Sequence, residues 1–283
     1  MFSFVSSTLR SARARKSMRD SATRQAAWRR PGFEDMENRY SPSSLFSDFA
    51  VLDEFGVFQM AGGQLSITNP QTEIGGDTGL GPHAVQNASD SQIDGKFVVD
   101  LTANNNHSNN LRIAGGTVYR NLQTAENYAE DAASRIGRMT ATQTFNSINN
   151  SMTINATQTI NVISVNQIQL DGSSTLTLHG SANAYFFINV SGKYSMTGTS
   201  AIHLTGGVST THVIFNITGT GEQVAFTGQS VGVGTYLAPN RDISVSGATV
   251  NGVLIGGENH QIAITSGAHV QVNTPHFSAP YWL

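Results

Sequence analysis

Residues 175–190 read TLTLHGSANAYFFINV, which is a short β-prone run, a turn of Gly, Ser and Asn, and a second β-prone run. The module repeats towards the C-terminus, with further runs at 201–204, 212–217, 234–237, 243–246, 250–255, 261–265 and 270–272. Many short strands at near-regular spacing predict a sheet wound on itself, either a β-solenoid or a β-sandwich. Such a body displays surface, so we expect its function to lie on that surface rather than in a deep pocket.

Side-chain alternation predicts which residues face outward. Leucines alternate with Thr175 and Thr177, so the two kinds of side chain point to opposite faces of the strand. The same alternation predicts outward positions for His203, Thr265 and His269. By contrast, residues 185–188 and 213–215 are continuous apolar runs, which are typical of strands covered on both faces.

One helix is predicted over about residues 119–138. An apolar stripe at spacings of three and four residues runs along one helical face, and its members are Leu122, Ala125, Ala129, Ala132 and Ile136. Because the stripe is mostly alanine, this helix can lie close against a sheet. It is expected to cover the apolar strands on their outer side.

Composition excludes several classes of protein. Charged residues make up 12% of the 283, about half of the usual share of roughly 25%. The chain has no cysteine, so disulfides and thiol catalysis are impossible. No apolar run approaches the ~20 residues of a membrane helix, and we do not expect an integral membrane protein.

Charge is distributed unevenly and suggests two regions. Residues 1–30 carry eight basic side chains and one acid, whereas the rest of the chain holds 18 of the 19 acids. We therefore predict a disordered basic leader or targeting arm at 1–44 and a single domain at 45–283. The acidic body makes nucleic acid an unsuitable partner.

Several motifs resemble known bacterial surface proteins. The Gly-rich stretch 74–82, the run Leu-Ala-Pro-Asn at 237–240 and the run Asn-Gly-Val-Leu-Ile-Gly at 251–256 resemble the choice-of-anchor A family, and more distantly the DUF3494 ice-binding family. The stretch 29–39 resembles a leader of the LEPR-XLL type, although Tyr-Ser-Pro replaces Leu-Leu at 40–42. The resemblance implies an all-β-dominated fold, a right-handed β-helix of triangular section with one long helix alongside. It also implies an exported, adhesin-like protein at the cell surface or outside the cell.

Enzymatic sites are not evident in the strand-rich region. Its acids are isolated apart from the pair Arg241 and Asp242, which we interpret as a solvated turn. Nucleophile-elbow, zinc-protease and P-loop motifs are absent. The histidines are scattered, and the aspartates near residues 77–94 lack calcium-loop spacing. We expect no catalytic residue, cofactor or metal.

A polar face is the candidate for binding. Thr175 and Thr177 form a Thr-x-Thr pair, and neighbouring strands present Asn189, His203 and Asn216. Such residues suit weak recognition of cell-surface glycans or proteins, or packing of neighbouring copies in a coat. We therefore predict a non-enzymatic, exported adhesin-like or structural module.

Two alternatives remain open. Ice binding, with ice as the partner, needs a flat face of regularly spaced hydroxyl and methyl groups on successive coils, and the chain shows one clean Thr-x-Thr pair within a strand. A carbohydrate-active β-helix enzyme needs a carboxylate cluster beside a groove.

Overall fold

The computed structural model describes residues 54–105 and 110–272, so the predicted leader at 1–44 lies outside the described part. One α-helix, α1 (Gln123–Gly137), and one 3-10 helix (Thr210–His212) accompany the strands there. The strands are β1 Val57–Gln59, β2 Gln64–Thr68, β3 Glu73–Ile74, β4 Thr78–Leu80, β5 Val85–Ser89, β6 Gln92–Ile93, β7 Phe97–Val99, β8 Arg112–Ile113, β9 Thr117–Tyr119, β10 Gln143–Ile148, β11 Met152–Asn155, β12 Ile160–Leu170, β13 Thr175–His179, β14 Tyr185–Val190, β15 Tyr194–Met196, β16 Ala201–Thr205, β17 Val213–Ile217, β18 Val224–Thr227, β19 Val231–Ala238, β20 Ile243–Ser246, β21 Thr249–Gly256, β22 Gln261–Thr265 and β23 His269–Gln271.

All paired strands are parallel and stack in three columns, which form the three faces of a β-helix. The helix-covered face contains β10, residues 160–165 of β12, β14, β17, residues 234–238 of β19, residues 252–256 of β21, β1, β4, β7 and β9. The Ser/Thr face contains the end of β12, β15, β18, β20, β22, β2 and β5. The mixed face contains β11, β13, β16, the starts of β19 and β21, β23, β3, β6 and β8. The predicted β-helix with one long helix is thereby confirmed.

The order of coils in the stack differs from the order in the sequence. The first strand, β1, pairs on one side with β21 and on the other with β4, so the first coils continue the stack beyond the last ones. Gln59 locks this junction: its Nε2 donates to Gly257 O at 2.7 Å, and its Oε1 accepts from Ile262 N at 2.9 Å. Helix α1 then returns the chain from the β9 end to the β10 end.

The interior of the β-helix is filled by the inward side chains of all three faces. An aromatic cluster lies at its centre, where Phe215 stacks on Tyr236 with ring centroids 4.9 Å apart and packs edge-on against Tyr194. These side chains are fully buried. Burial of apolar surface at about 25 cal/mol per Å² supplies the main stabilisation of such a core.

A second apolar cluster lies between α1 and the helix-covered face. The predicted stripe is buried along its whole length, at Leu122, Ala125, Ala129, Ala132 and Ile136. It packs in one cluster with Phe58, Phe187, Ile214 and Leu237, which are outward residues of the covered strands. The double coverage predicted from the continuous apolar runs is therefore confirmed. Within residues 54–105 and 110–272, no helix covers the other two faces, which we call the uncovered faces.

Glycine permits a tight corner between the mixed and helix-covered faces. Gly234 lies there at φ +107°, and Gly252 of the next coil stacks against it. A Cβ on Gly252 would come within 1.9 Å of Gly234 O. Any side chain at position 252 would therefore push two coils apart.

Candidate functional site

The uncovered faces differ in chemistry, and the Ser/Thr face is the more regular. Strands β15, β18, β20, β22, β2 and β5 contain no charged residue. One outward position continues in register across successive coils, through Ser195, Ala225, Ser244, Ala263, Ser66 and Asn87. Because these side chains are short, the face is nearly flat.

A second row of hydroxyl groups runs beside the first. Thr227 pairs with Ser246, and Ser246 pairs with Thr265; Thr68 pairs with Ser89 further along the stack. Neighbouring strands lie about 4.7–4.9 Å apart, and alternate residues of one strand lie about 6.6 Å apart. The two rows therefore form a nearly rectangular grid of hydroxyl and methyl groups.

On the mixed face, the outward residues change from polar to charged along the stack. Near β11, β13 and β16 it presents Thr153, Thr177 and His203 at paired positions. Further along it is charged, because His269 Nδ1 lies 3.4 Å from Glu73 Oε2 and Arg112 follows on β8. This end borders an open cavity of about 580 Å³ whose polar lining includes Glu73, Asp90, Gln92, Asn110 and His269.

The predicted binding residues do not form one face. Thr175, Thr177 and His203 lie together on the mixed face, as the alternation predicts. Asn189 and Asn216 instead lie beneath α1: Asn189 Nδ2 donates to Ile136 O at 2.9 Å, and Asn216 Nδ2 donates to Ala133 O at 3.0 Å. The placement of these two asparagines on an exposed face was wrong, because α1 covers their strands and uses their amides to anchor its C-terminal turns.

The interpretation of Arg241 as part of a solvated turn was also wrong. The side chain is 1% exposed, and its guanidinium donates to five backbone carbonyl oxygens at a corner of the stack. The acceptors are Ser191, Gly192, Thr218, Gly219 and Glu222, at 2.8–3.3 Å. Asp242 remains at the surface, where its Oδ1 accepts from Gln261 N at 2.7 Å. Arg241 therefore holds three coils together.

The histidines are spread over separate places. His212 is buried and stacks on Tyr185 with ring centroids 4.0 Å apart. Desolvation lowers its pKa, although hydrogen bonds from its ring to the backbone of Ala184 and Ala182 act in the opposite direction. His260 Nδ1 lies 3.3 Å from Asp242 Oδ1 at the corner that precedes β22, whereas the His269–Glu73 pair lies on the mixed face. Over residues 54–105 and 110–272, no three side chains among His, Asp and Glu gather in a way that could hold a metal ion.

Sequence reasoning missed both the Ser/Thr face and an acidic cluster at α1. The signal for the face was present as small residues alternating with apolar ones in β18, β20, β22 and β2, but only the fold places Ser66 beside Ala263. The acidic cluster joins Glu126 and Glu130 of α1 with Glu258, which follows β21. These residues are far apart in sequence, so their proximity could not be read from it.

No helix among the described residues could cross a membrane, because α1 is too short and too polar.

A family model described as an ice-binding-like adhesive domain matches residues 48–267. No curated protein sequence matches the chain.

Among solved structures, the fold is similar to that of an ice-binding protein from an Antarctic bacterium of the Flavobacteriaceae, with a TM-score of 0.59, 20% identity and coverage of 79% of this chain and 46% of that one. It is also similar to an ice-binding protein with antifreeze activity from an Arctic yeast, with a TM-score of 0.57, 18% identity and coverage of 83% and 96%. A third relative is an ice-binding protein from the Antarctic ascomycete Antarctomyces psychrotrophicus, with a TM-score of 0.53, 20% identity and coverage of 80% and 97%. The chain thus spans less than half of the Flavobacteriaceae protein, and at these identities the likeness establishes the shared β-helix fold.

Proposed function

The chain belongs to the family of ice-binding-like adhesive domains, and from this premise we propose that it binds ice through its Ser/Thr face. The observation that carries the proposal is the in-register row from Ser195 to Asn87 across six successive coils, with a parallel row of hydroxyls beside it. This reverses the order of the sequence-based hypotheses, in which ice binding was the alternative to a plain adhesin.

The spacing of the grid suits ordered water. In a tetrahedral water network with an O–H···O distance of about 2.75 Å, second-neighbour oxygens lie about 4.5 Å apart. The coils repeat at about 4.7–4.9 Å, so the hydroxyl groups of Thr227, Ser246 and Thr265 on successive coils can each hold a water molecule in a nearly ice-like row. Methyl groups of Ala225, Ala263 and the threonines keep the water between these anchors from bonding to the protein.

The absence of charge supports the same conclusion. A charged side chain binds its hydration water in an orientation that conflicts with the ice lattice, whereas small hydroxyl and methyl groups do not. On the mixed face, by contrast, Glu73, His269 and Arg112 interrupt the polar rows. We therefore place ice binding on the Ser/Thr face and not around Thr175 and Thr177.

A pair of matched substitutions tests this proposal. Thermal hysteresis and inhibition of ice recrystallisation are measured on the full chain, on Ser244→Tyr in the centre of the Ser/Thr face, and on Thr177→Tyr on the mixed face. We expect Ser244→Tyr to abolish both activities because the ring prevents close approach of a flat lattice, and Thr177→Tyr to retain them. Loss in Thr177→Tyr alone would move the site to the mixed face, and an inactive wild-type chain would refute ice binding.

We also propose that the domain is non-enzymatic and acts outside the cell, where an adhesive surface meets its target. Glycan binding is a second candidate, favoured by the 580 Å³ cavity beside the mixed face. Its lining offers carboxylates, amides and a histidine, which suit the hydroxyl groups of a sugar. A glycan array tests this candidate: we expect binding that Asp90→Ala abolishes, and an array without any signal would exclude it.

A further inference from the structure

A second cavity lies between α1 and the β-helix, away from both uncovered faces. Its volume is about 440 Å³. Oxygen-bearing side chains from α1 and from the corner of the stack line it, namely Glu130, Ser134, Asn216, Thr218, Asn240 and Glu258. The cavity therefore lies at the interface between α1 and the β-helix, and each of them supplies one carboxylate.

The two carboxylates lack a countercharge. Among the described residues no lysine, arginine or histidine forms an ion pair with Glu130, Glu258 or the neighbouring Glu126. Desolvation and then the charge of Glu258 raise the pKa of Glu130. Repulsion from Glu130 and Glu258 likewise adds to desolvation in raising the pKa of Glu126. The interface between α1 and the β-helix therefore concentrates negative charge that no described residue neutralises.

Three basic groups of α1 and of the β-helix are engaged elsewhere. Arg135 on α1 pairs with Asp131 at 2.6 Å, one turn back along the same helix. Arg241 lies behind the cavity, and its guanidinium is held by backbone carbonyls, including Thr218 O at 3.0 Å. Lys193 pairs with Glu222 at 3.1 Å. None of these cations can turn towards Glu130 or Glu258 without leaving its present partner.

An independent feature of the same cavity is the amide of Asn216. The residue is fully buried and its Nδ2 is used twice, for Ala133 O at 3.0 Å and for Asn189 Oδ1 at 2.8 Å. Its Oδ1 has no hydrogen-bond partner. Because both donors of the amide are fixed, the amide cannot flip, and an electron-rich oxygen remains unsatisfied in the lining.

We propose that this cavity binds a hard divalent cation of the Ca²⁺ class, with Glu130 and Glu258 as its charged ligands. Ca²⁺ takes six to eight oxygen ligands, from carboxylates, amide and backbone carbonyls and water, at about 2.3–2.6 Å. The carboxylates of Glu130 and Glu258 and the amide and hydroxyl oxygens of the lining are ligands of these kinds. Bound there, the ion ties α1 to the β-helix.

Calcium binding is tested on the full chain after treatment with a chelator. Titration calorimetry with CaCl₂ should show one site. Thermal melting should rise by about 5–10 °C when the free ion exceeds its Kd about a hundredfold. The double variant Glu130→Gln/Glu258→Gln should lose both responses while melting, without calcium, at or above the temperature of the wild-type chain, because it also loses the repulsion.

Glu54→Gln is the matched control, since it removes an exposed carboxylate that pairs with Arg120 and does not line this cavity, and it should keep the calcium response. All samples are held at equal ionic strength. A wild-type chain without calorimetric heat or melting shift at millimolar CaCl₂ overturns the proposal. So does an equal shift in the double variant, which would indicate general screening of charge. Ice activity is read separately, so either proposal can fail alone.

Discussion

Both carboxylate oxygens of Glu126 accept the backbone N–H of Ala61, at 2.9 and 3.1 Å, and so join α1 to the turn after β1. Glu126 is only 2% exposed, so water solvates a negative charge on its carboxylate poorly. Desolvation, aided by repulsion from Glu130, Glu258 and Asp100, raises the pKa of Glu126 to about 7, even though the bond from Ala61 opposes the shift.

This shift makes stability depend on pH. Because the pKa is higher in the folded chain than its usual 4.5, the native state holds a proton that the unfolded state releases between about pH 4.5 and 7. The free energy of unfolding therefore falls as pH rises through this window. We predict that Glu126→Gln removes this contribution and raises stability at pH 8 by about 2–3 kcal/mol over the wild-type chain.

Urea unfolding at pH 5 and pH 8, in the presence of a chelator, measures this contribution. Glutamine keeps an oxygen acceptor for Ala61, so the variant should fold. Glu222→Gln, an exposed carboxylate paired with Lys193, is the control and should leave the pH dependence unchanged. A Glu126→Gln variant less stable than wild type at pH 8 would contradict the assignment.

The five carbonyl contacts of Arg241 depend on the shape of its guanidinium. Lysine has the same charge but three donors on a single nitrogen, so it cannot reach five acceptors arranged around a plane. Arg241→Lys should therefore cost about 3 kcal/mol or more of unfolding free energy, because several buried carbonyls lose their donors. Arg112→Lys, at an exposed position, should change stability by less than about 0.5 kcal/mol. Equal effects of the two substitutions in denaturant melts would disprove the bracing role.

Phe215 fills the centre of the β-helix. Phe215→Ala leaves a cavity beside Tyr236 and Tyr194 and should cost about 3–5 kcal/mol. Tyr119→Ala removes an aromatic ring that is 58% exposed and is the matched control, with an expected change below about 0.5 kcal/mol. A loss below about 1 kcal/mol for Phe215→Ala would be inconsistent with its central position.

Local patterns of the sequence were sufficient to predict the repeated strands, the alternation at Thr175 and Thr177, and the buried stripe of α1. These features depend on residues a few positions apart. The predicted helix at 119–138 differs from Gln123–Gly137 only at its ends.

What could not be predicted depends on which distant segments become neighbours. Asn189 and Asn216 look like exposed strand residues until α1 is laid across them. Ser66 belongs to an early strand, and its place beside Ala263 follows only from the pairing of first and last coils. Arg241 has a polar neighbour and looks solvated, because its five acceptors lie in two turns, at 191–192 and 218–222, that are distant from it in sequence.

The pairing of β1 with β21 restricts how this domain can change in length. Many solenoids grow by adding repeats at a chain terminus, but here the earliest and latest coils meet inside the stack. The two ends of the described stack belong to internal segments, and the connection from β9 to β10, which contains α1, must bridge them. Each inserted coil would lengthen the stack by about 4.8 Å, equivalent to about three more helical residues. The connection that contains α1 must therefore become longer whenever a coil is added to the sheet.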